Sequence, residues 1–381
     1  MKPKPIVCPF CPLHCDDLQV DPAGSVNVAC QLACEGFADA LHPTEPRIGN
    51  SKVSMQDVIE HARERMTLAR PVVLASHVPL STAKLLSQLQ SDRVIDWIMP
   101  QSTSRAALRR AISRDGMISA TLGDVRRHTD CLWILGNGPP QTMPRWRERI
   151  ESMDAKVRTL HWPAGVSANQ LADLLDALRH DQRPASPALG QVYDHFSQAR
   201  SIAIVWFDDG FKPTETLSEK GSEADSAATM LLELVLHLND PQLHESRRGV
   251  LVTLDEAQTA RSVSLWRCNE VAQDRFLSLI GDQHPLSIHL GVPPKTIPLP
   301  ITIQVGGRDG GPEVSEAYAP TAIAGVHHRD MIIRGDGSVS LPLQSIADSH
   351  FPAVTAWLAE LFDQHHLPHP QQLPLLLESQ S

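Results

Sequence analysis

The chain has 381 residues, of which 42% are apolar and 20% charged, and its 34 Lys and Arg against 44 Asp and Glu leave a net charge of -10. This is the composition of an ordinary globular chain, long enough for roughly two or three domains and a substantial buried core. It excludes disorder and a small disulfide-stapled fold, and the acidic balance disfavours nucleic acid and anionic membranes as partners.

At the N-terminus, Met1–Val7 holds two lysines and two prolines but no apolar core of a secretion signal, so a cytoplasmic location is expected. Residues 1–50 read as a small Cys-rich metal domain. Within it, Asp17–Val20 and Ser25–Val28 alternate polar and apolar residues around Asp21-Pro22-Ala23-Gly24, the pattern of a hairpin. So short a segment buries little core of its own, and a bound metal or docking onto the rest of the chain must supply the difference.

Residues 51–300 alternate strand and helix. Pro71–Ser76 precedes a helix from about Ser81, and Arg93–Ile98 precedes one over Ser104–Ser113. Cys131–Leu135 leads through Gly136-Asn137-Gly138 into a helix near Pro144, and Val157–Trp162 into a helix over Ser167–Leu178. Ser201–Phe207, Glu223–Leu238 and Gly249–Leu254 then read as strand, helix and strand. The rhythm predicts an α/β class with doubly wound domains around mostly parallel sheets. No apolar run approaches the ~20 residues of a membrane span; Met230–Leu238 is broken by Glu233 and His237. Residues 301–381 form a short C-terminal β-segment, with Ile301–Val305 and the run Met331–Leu341 around Gly335-Asp336-Gly337 expected as antiparallel strands, before a helix over Ala353–Phe362.

The sharpest chemical signal is Cys8, Cys11, Cys15 and, after the hairpin, Cys30, a C-x2-C-x3-C-x14-C array that with Cys34 puts five of the seven cysteines in the first 34 residues. A 4Fe-4S cubane needs four thiolates, which a tight loop and one returning segment can deliver. Structural zinc accepts the same four sulfurs. Cys34 competes with Cys30 for the fourth place, and His14 sits close enough in sequence to enter the shell. Cys131, in a strand, and Cys268 read as inert core thiols.

A second candidate is the strand-to-helix turn Gly136-Asn137-Gly138-Pro139-Pro140 with Arg145 beyond it, placed where open α/β sheets bind anionic cofactors; a plain tight turn accounts for the same residues. The 18 histidines, with pairs at His327-His328 and His365-His366, show no metal-ligand spacing. Hydrolase and nucleotide-binding motifs are missing.

The run Cys8-Pro9-Phe10-Cys11-Pro12-Leu13-His14-Cys15-Asp16-Asp17-Leu18, with Ala29-Cys30-Gln31-Leu32, resembles the opening of the formylmethanofuran dehydrogenase subunit that belongs to the molybdopterin oxidoreductases. Weaker matches follow at Thr121–Val125, at Thr129-Asp130, at Leu135-Gly136-Asn137 with Pro144-Arg145, and at His328–Asp330 and Gly335–Leu343. The resemblance implies Cys8, Cys11, Cys15 and Cys30 as cluster ligands. It also implies a region of the molybdopterin-oxidoreductase type over residues 51–300, in which molybdopterin guanine dinucleotide would hold tungsten or molybdenum. One departure matters. The family's metal-ligating Cys or selenocysteine falls where this sequence reads Pro100-Gln101-Ser102-Thr103-Ser104-Arg105, and no cysteine lies between Cys34 and Cys131. Ser102 or Ser104 would offer oxygen rather than the soft thiolate such a site relies on. The sequence therefore looks closer to the homologous subunit of the bacterial formyltransferase/hydrolase complex. There, with the other subunits as partners, formyl groups pass between tetrahydromethanopterin and methanofuran with no redox step from this subunit.

Overall fold

The computed structural model describes residues 5–21, 24–66, 70–138, 143–150, 157–212, 220–242, 247–266, 286–292 and 301–363. The chain divides into two compact units, residues 1–100 with 256–381, and residues 101–255.

The first unit is built on a seven-stranded sheet. Its parallel centre is β3 (Val72–Leu74), β4 (Asp96–Ile98), β9 (Ser287–Leu290), β10 (Ile301–Val305) and β11 (Ser315–Ala319); β1 (Arg47–Ile48) pairs antiparallel with β11, and β2 (Ser51–Lys52) with β1. The order is β2-β1-β11-β10-β9-β3-β4, so strands from residues 1–50, 51–300 and 301–381 all join one sheet. Ile301–Val305, expected as an antiparallel strand, runs parallel to both neighbours. The direction is that of the two strands it pairs with, β9 and β11, which local alternation of residues does not report. The expected hairpin does form, as β12 (Asp330–Ile333) against β13 (Ser340–Leu343).

Helix periodicity supplies the cover. In α2 (Met55–Met66) Val58, Ile59, Ala62 and Met66 share the buried face, and in α11 (Val354–Leu361) Trp357, Leu358 and Leu361 do. These pack with Val73, Ile288 and Ile303 of the sheet into one core, each large side chain contributing about 1.5–3 kcal/mol on burial. α3 (Leu80–Ser91) packs against α10 (Gln258–Trp266).

The second unit holds a four-stranded, wholly parallel sheet in the order β6-β5-β7-β8, from β5 (Cys131–Leu135), β6 (Arg158–Trp162), β7 (Ser201–Trp206) and β8 (Arg248–Thr253). This matches the expected alternation. Around it lie α4 (Thr103–Asp115), α5 (Leu122–His128), α6 (Trp146–Ile150), α7 (Ala168–Arg179), α8 (Pro187–Gln198) and α9 (Lys220–Leu238). Every residue of β5 is buried, as a central parallel strand covered on both faces requires. α7 starts at Ser167 because its hydroxyl accepts from the Gln170 amide while Gln170 accepts from the Ser167 amide, a reciprocal capping box.

In the first unit, Arg47 donates through Nε and Nη2 to both oxygens of Asp309, at 2.8 and 2.7 Å, and through Nη1 to the Ser315 carbonyl. Burial pushes the Asp309 carboxyl up, but the Arg47 hydrogen bonds and charge outweigh it and hold it below the usual range. A depressed folded pKa contributes stability that is present above the unfolded pKa and is lost as pH falls through the folded one. Asp309→Asn should therefore cost about 2–3 kcal/mol in urea unfolding at neutral pH. The gap to the wild type should close as pH falls below about 4.

Candidate functional site

The first three cysteines lie on a narrow loop closed by backbone bonds, Ile6 N–H to Leu18 O at 2.7 Å and Cys8 N–H to Cys15 O at 2.9 Å. Its tip is a turn in which the His14 amide donates to Cys11 O, with His14 held at φ 40°. Pro9 and Pro12 stiffen the loop by fixing φ. The chain then returns through a short antiparallel bridge, Val20 to Val26, which is the expected hairpin in reduced form. Cys30 is the N-cap of α1 (Gln31–Leu41), and its side chain makes no capping bond. Cys8, Cys11, Cys15 and Cys30 are all buried, whereas Cys34, one turn into the helix, is exposed.

Neighbouring segments of the same unit hold this loop. The Phe10 ring meets Phe37 edge-on at 4.9 Å, and a Cβ at position 36 would lie 2.6 Å from the Phe10 ring, so the approach requires Gly36. The Gly335 amide donates to Pro12 O at 2.7 Å, and Val7 packs with Ala324, Ile332 and Leu343.

Burial sets the electrostatics. It pushes the Cys8 thiol well above its ordinary value, with Cys11, Cys15 and Cys30 adding to the rise. Cys11 is pushed up to about 12, by burial first and then by Cys15. Cys8 therefore lies within charge range of the other three, and Cys11 within range of Cys15 and Cys30. Among the described residues, however, no group of three or more His, Cys, Asp or Glu is arranged to hold a metal ion. The donor chemistry still suits one, because thiols this buried ionise only beside a compensating cation. His14, in the loop's tip, has its Nδ1 3.0 Å from Cys8 O and its ring 5.2 Å from that of His77. Burial and then His77 lower His14 to about 3, and burial lowers His77 to about 4, so both rings are neutral at physiological pH. Arg334 pairs with Asp336 nearby, its Nη2 3.0 Å from the carboxylate. His77 escaped the sequence reading, and Asp336 entered it only as a turn residue. The one available signal was that His77 follows a strand end.

The second candidate lies in the other unit. Gly136 adopts φ 91°, open to glycine but strained for other residues, and the Asn137 amide donates to Asp209 Oδ2 at 2.9 Å. Arg145 is buried and donates through Nε and Nη2 to Glu148 at 2.8 and 2.6 Å. The sequence-predicted Gly136 and Asn137 thus share one loop, while Arg145 is occupied by an ion pair on α6. Ser102 is the N-cap of α4, its hydroxyl accepting from the Arg105 amide at 3.1 Å. Cys131 is fully buried and raised to about 12 by burial, a core thiol. His327 accepts the Ile323 amide through Nδ1. Pro139, Pro140, Cys268, His365 and His366 lie outside the described residues.

Two outcomes test this geometry. With the native metal-free chain near neutral pH, mass spectrometry after brief alkylation should find Cys34 modified well before Cys8 and Cys11. Gly136→Ala should destabilise the protein by about 1–3 kcal/mol, read by thermal unfolding, because alanine is strained at that φ and its Cβ would displace Asp209.

No protein-family model matches this sequence, and a search of the curated proteins finds no match. Among solved structures, the chain is similar to a chain of the formyltransferase/hydrolase complex (FhcABCD) from Methylorubrum extorquens, determined by X-ray crystallography in complex with methylofuran. The TM-score is 0.62 at 17% identity, over 84% of this chain and 98% of that one. At 17% identity the likeness is one of fold: this chain folds as a mixed α/β protein similar to a chain of that complex.

Proposed function

We propose that this chain is a component of a formyltransferase/hydrolase complex in methanofuran- and tetrahydromethanopterin-linked one-carbon metabolism, the one that corresponds to the molybdopterin-type subunit of formylmethanofuran dehydrogenase. It works in the cytoplasm beside the other subunits and carries no redox turnover of its own. The observation that carries this reading is the similarity of fold to a chain of such a complex, spanning 98% of that chain. It is supported by the absence of any cysteine between Cys34 and Cys131, where the resembling oxidoreductases place their metal ligand. Ser102, one of the two serines that could offer oxygen there, already uses its hydroxyl to cap α4. No described helix is long and apolar enough to cross a membrane.

The same reading assigns Cys8, Cys11, Cys15 and Cys30 to a 4Fe-4S cluster, which when bound would supply one-electron transfer or hold the N-terminal loop together. The loop itself contributes three buried thiols, a backbone closed by the Cys8–Cys15 bond and a neutral imidazole at His14, and the start of α1 adds the buried Cys30. A tungsten or molybdenum pterin oxidoreductase is the competing reading, favoured by the four-cysteine opening.

Anaerobic purification from the native cell, with mass spectrometry of partners and metals, separates the readings. The proposal expects the partner subunits of a formyltransferase/hydrolase, with iron and sulfide but neither tungsten nor molybdenum. The assembled complex should release formate from the formylated cofactor with no electron acceptor present. Viologen reduction driven by formylmethanofuran, and abolished by Ser102→Ala or Ser104→Ala, would overturn it. Zinc in place of iron would overturn the cluster assignment alone. Cys11→Ala should remove the bound metal; loss of assembly marks a structural cluster, and intact assembly with altered redox spectra marks a relay.

A further inference from the structure

In the four-stranded sheet the chain steps outward from β5 to β6 on one side and from β7 to β8 on the other. The carboxyl ends of β5 and β7 therefore flank a topological switch point, the place where open α/β sheets lodge their ligands. The loop leaving β5 has the parts of an anion cradle: a glycine with left-handed φ, no Cβ in the way, and the Asn137 amide turned toward the loop that leaves β7.

We propose that Asp209, on the loop leaving β7, occupies this cradle as a built-in anion, and that it is the residue that makes the switch point reject phosphate-bearing ligands. Its Oδ2 takes the Asn137 amide at 2.9 Å, and its Oδ1 would collide with a Cβ on Gly136, so the carboxylate sits in the space the glycine leaves open. The charges nearby point the same way. Arg105, a cation near this mouth, donates through Nε to Asp208 at 2.6 Å and through Nη2 to Leu254 O at 3.0 Å, lies 3.6 Å from Asp255, and rests over the Trp206 ring. Arg145 is held by Glu148. The helix after the loop, α6, has only five residues, too few to offer a strong positive end.

An incoming phosphate would thus have to displace a carboxylate tethered at high effective concentration and approach the negative charges of Asp208 and Asp209. Such rejection concerns which ligands the second unit can accept, whatever complex the chain joins.

Inorganic pyrophosphate is the probe, titrated into the full chain and followed by calorimetry and by the Asn137 amide resonance. The wild type should show no saturable binding and no movement of that resonance. Asp209→Asn keeps an oxygen acceptor for the Asn137 amide, and so the loop, but removes the charge; it should bind at least about ten-fold more tightly than the wild type. Asp209→Gly, which empties the cradle, should bind more tightly still. Saturable binding to the wild type that shifts the Asn137 amide overturns the proposal. So does a folded Asp209→Asn that binds no better than the wild type, or whose gain leaves the Asn137 amide unmoved. Should Asp209→Gly fail to fold, the asparagine variant alone decides.

Discussion

A parallel strand with neighbours on both sides and cover on both faces can hold a polar side chain only where a hydrogen-bond partner meets it, as Gly291 O meets His289 and Arg308 O meets Gln304. The middle strands of both sheets obey this constraint: Val72–Leu74, Ser287–Leu290 and Cys131–Leu135 are buried throughout, and Ser201–Trp206 is buried after its first residue. Polar chemistry is driven to the loops beyond the carboxyl ends, where His77 follows β3, Asn137 follows β5 and Asp209 follows β7. In the second unit the loops after β5 and β7 approach one another so closely that glycine is needed at position 136, where a side chain would meet the Asp209 carboxylate.

The N-terminal loop depends on the body of the first unit in a different way. It has almost no core of its own, and its order comes from a few backbone bonds and from groups lent by distant segments: the Gly335 amide on Pro12, the apolar side chains around Val7, and Phe37 under Phe10. The hairpin β12–β13 thus serves as a backing for the cysteines more than as a separate element. Such an arrangement couples the loop to its support, so a ligand that drew the four sulfurs together would stabilise both at once.

Burial also determines which charge states the loop can hold. Desolvation raises Cys8 and Cys11 and lowers His14 and His77, so all of these groups favour their neutral forms. In so dry an environment, thiolates become stable only once a cation arrives to compensate them. The ion pair of Arg334 with Asp336 is balanced within itself and adds no net charge beside the loop.

Much of the fold was legible in the sequence wherever the signal was local. Cys131–Leu135 appears as read, the Ser167 cap sets the start of α7, and the turn at Gly335-Asp336-Gly337 joins the expected hairpin, because apolar spacing and capping chemistry act over a few residues. Cys8, Cys11 and Cys15 share one loop for the same reason, since so few residues limit how far apart they can lie; that Cys30, at the start of α1, is buried as well was not readable from spacing. Tertiary structure alone decided what depends on distant partners. Ile301–Val305 runs parallel because of the strands that flank it, and Ser315–Ala319, with few β-branched residues, becomes a strand through those pairings. His14 meets His77, and the Asn137 amide finds a carboxylate 72 residues away, contacts that no local pattern encodes. The sequence by itself determined the elements with strong local patterns and the stock of reactive groups; the folded chain decided the remaining strands and which groups meet, because pairing and burial are properties of neighbours brought together only by the fold.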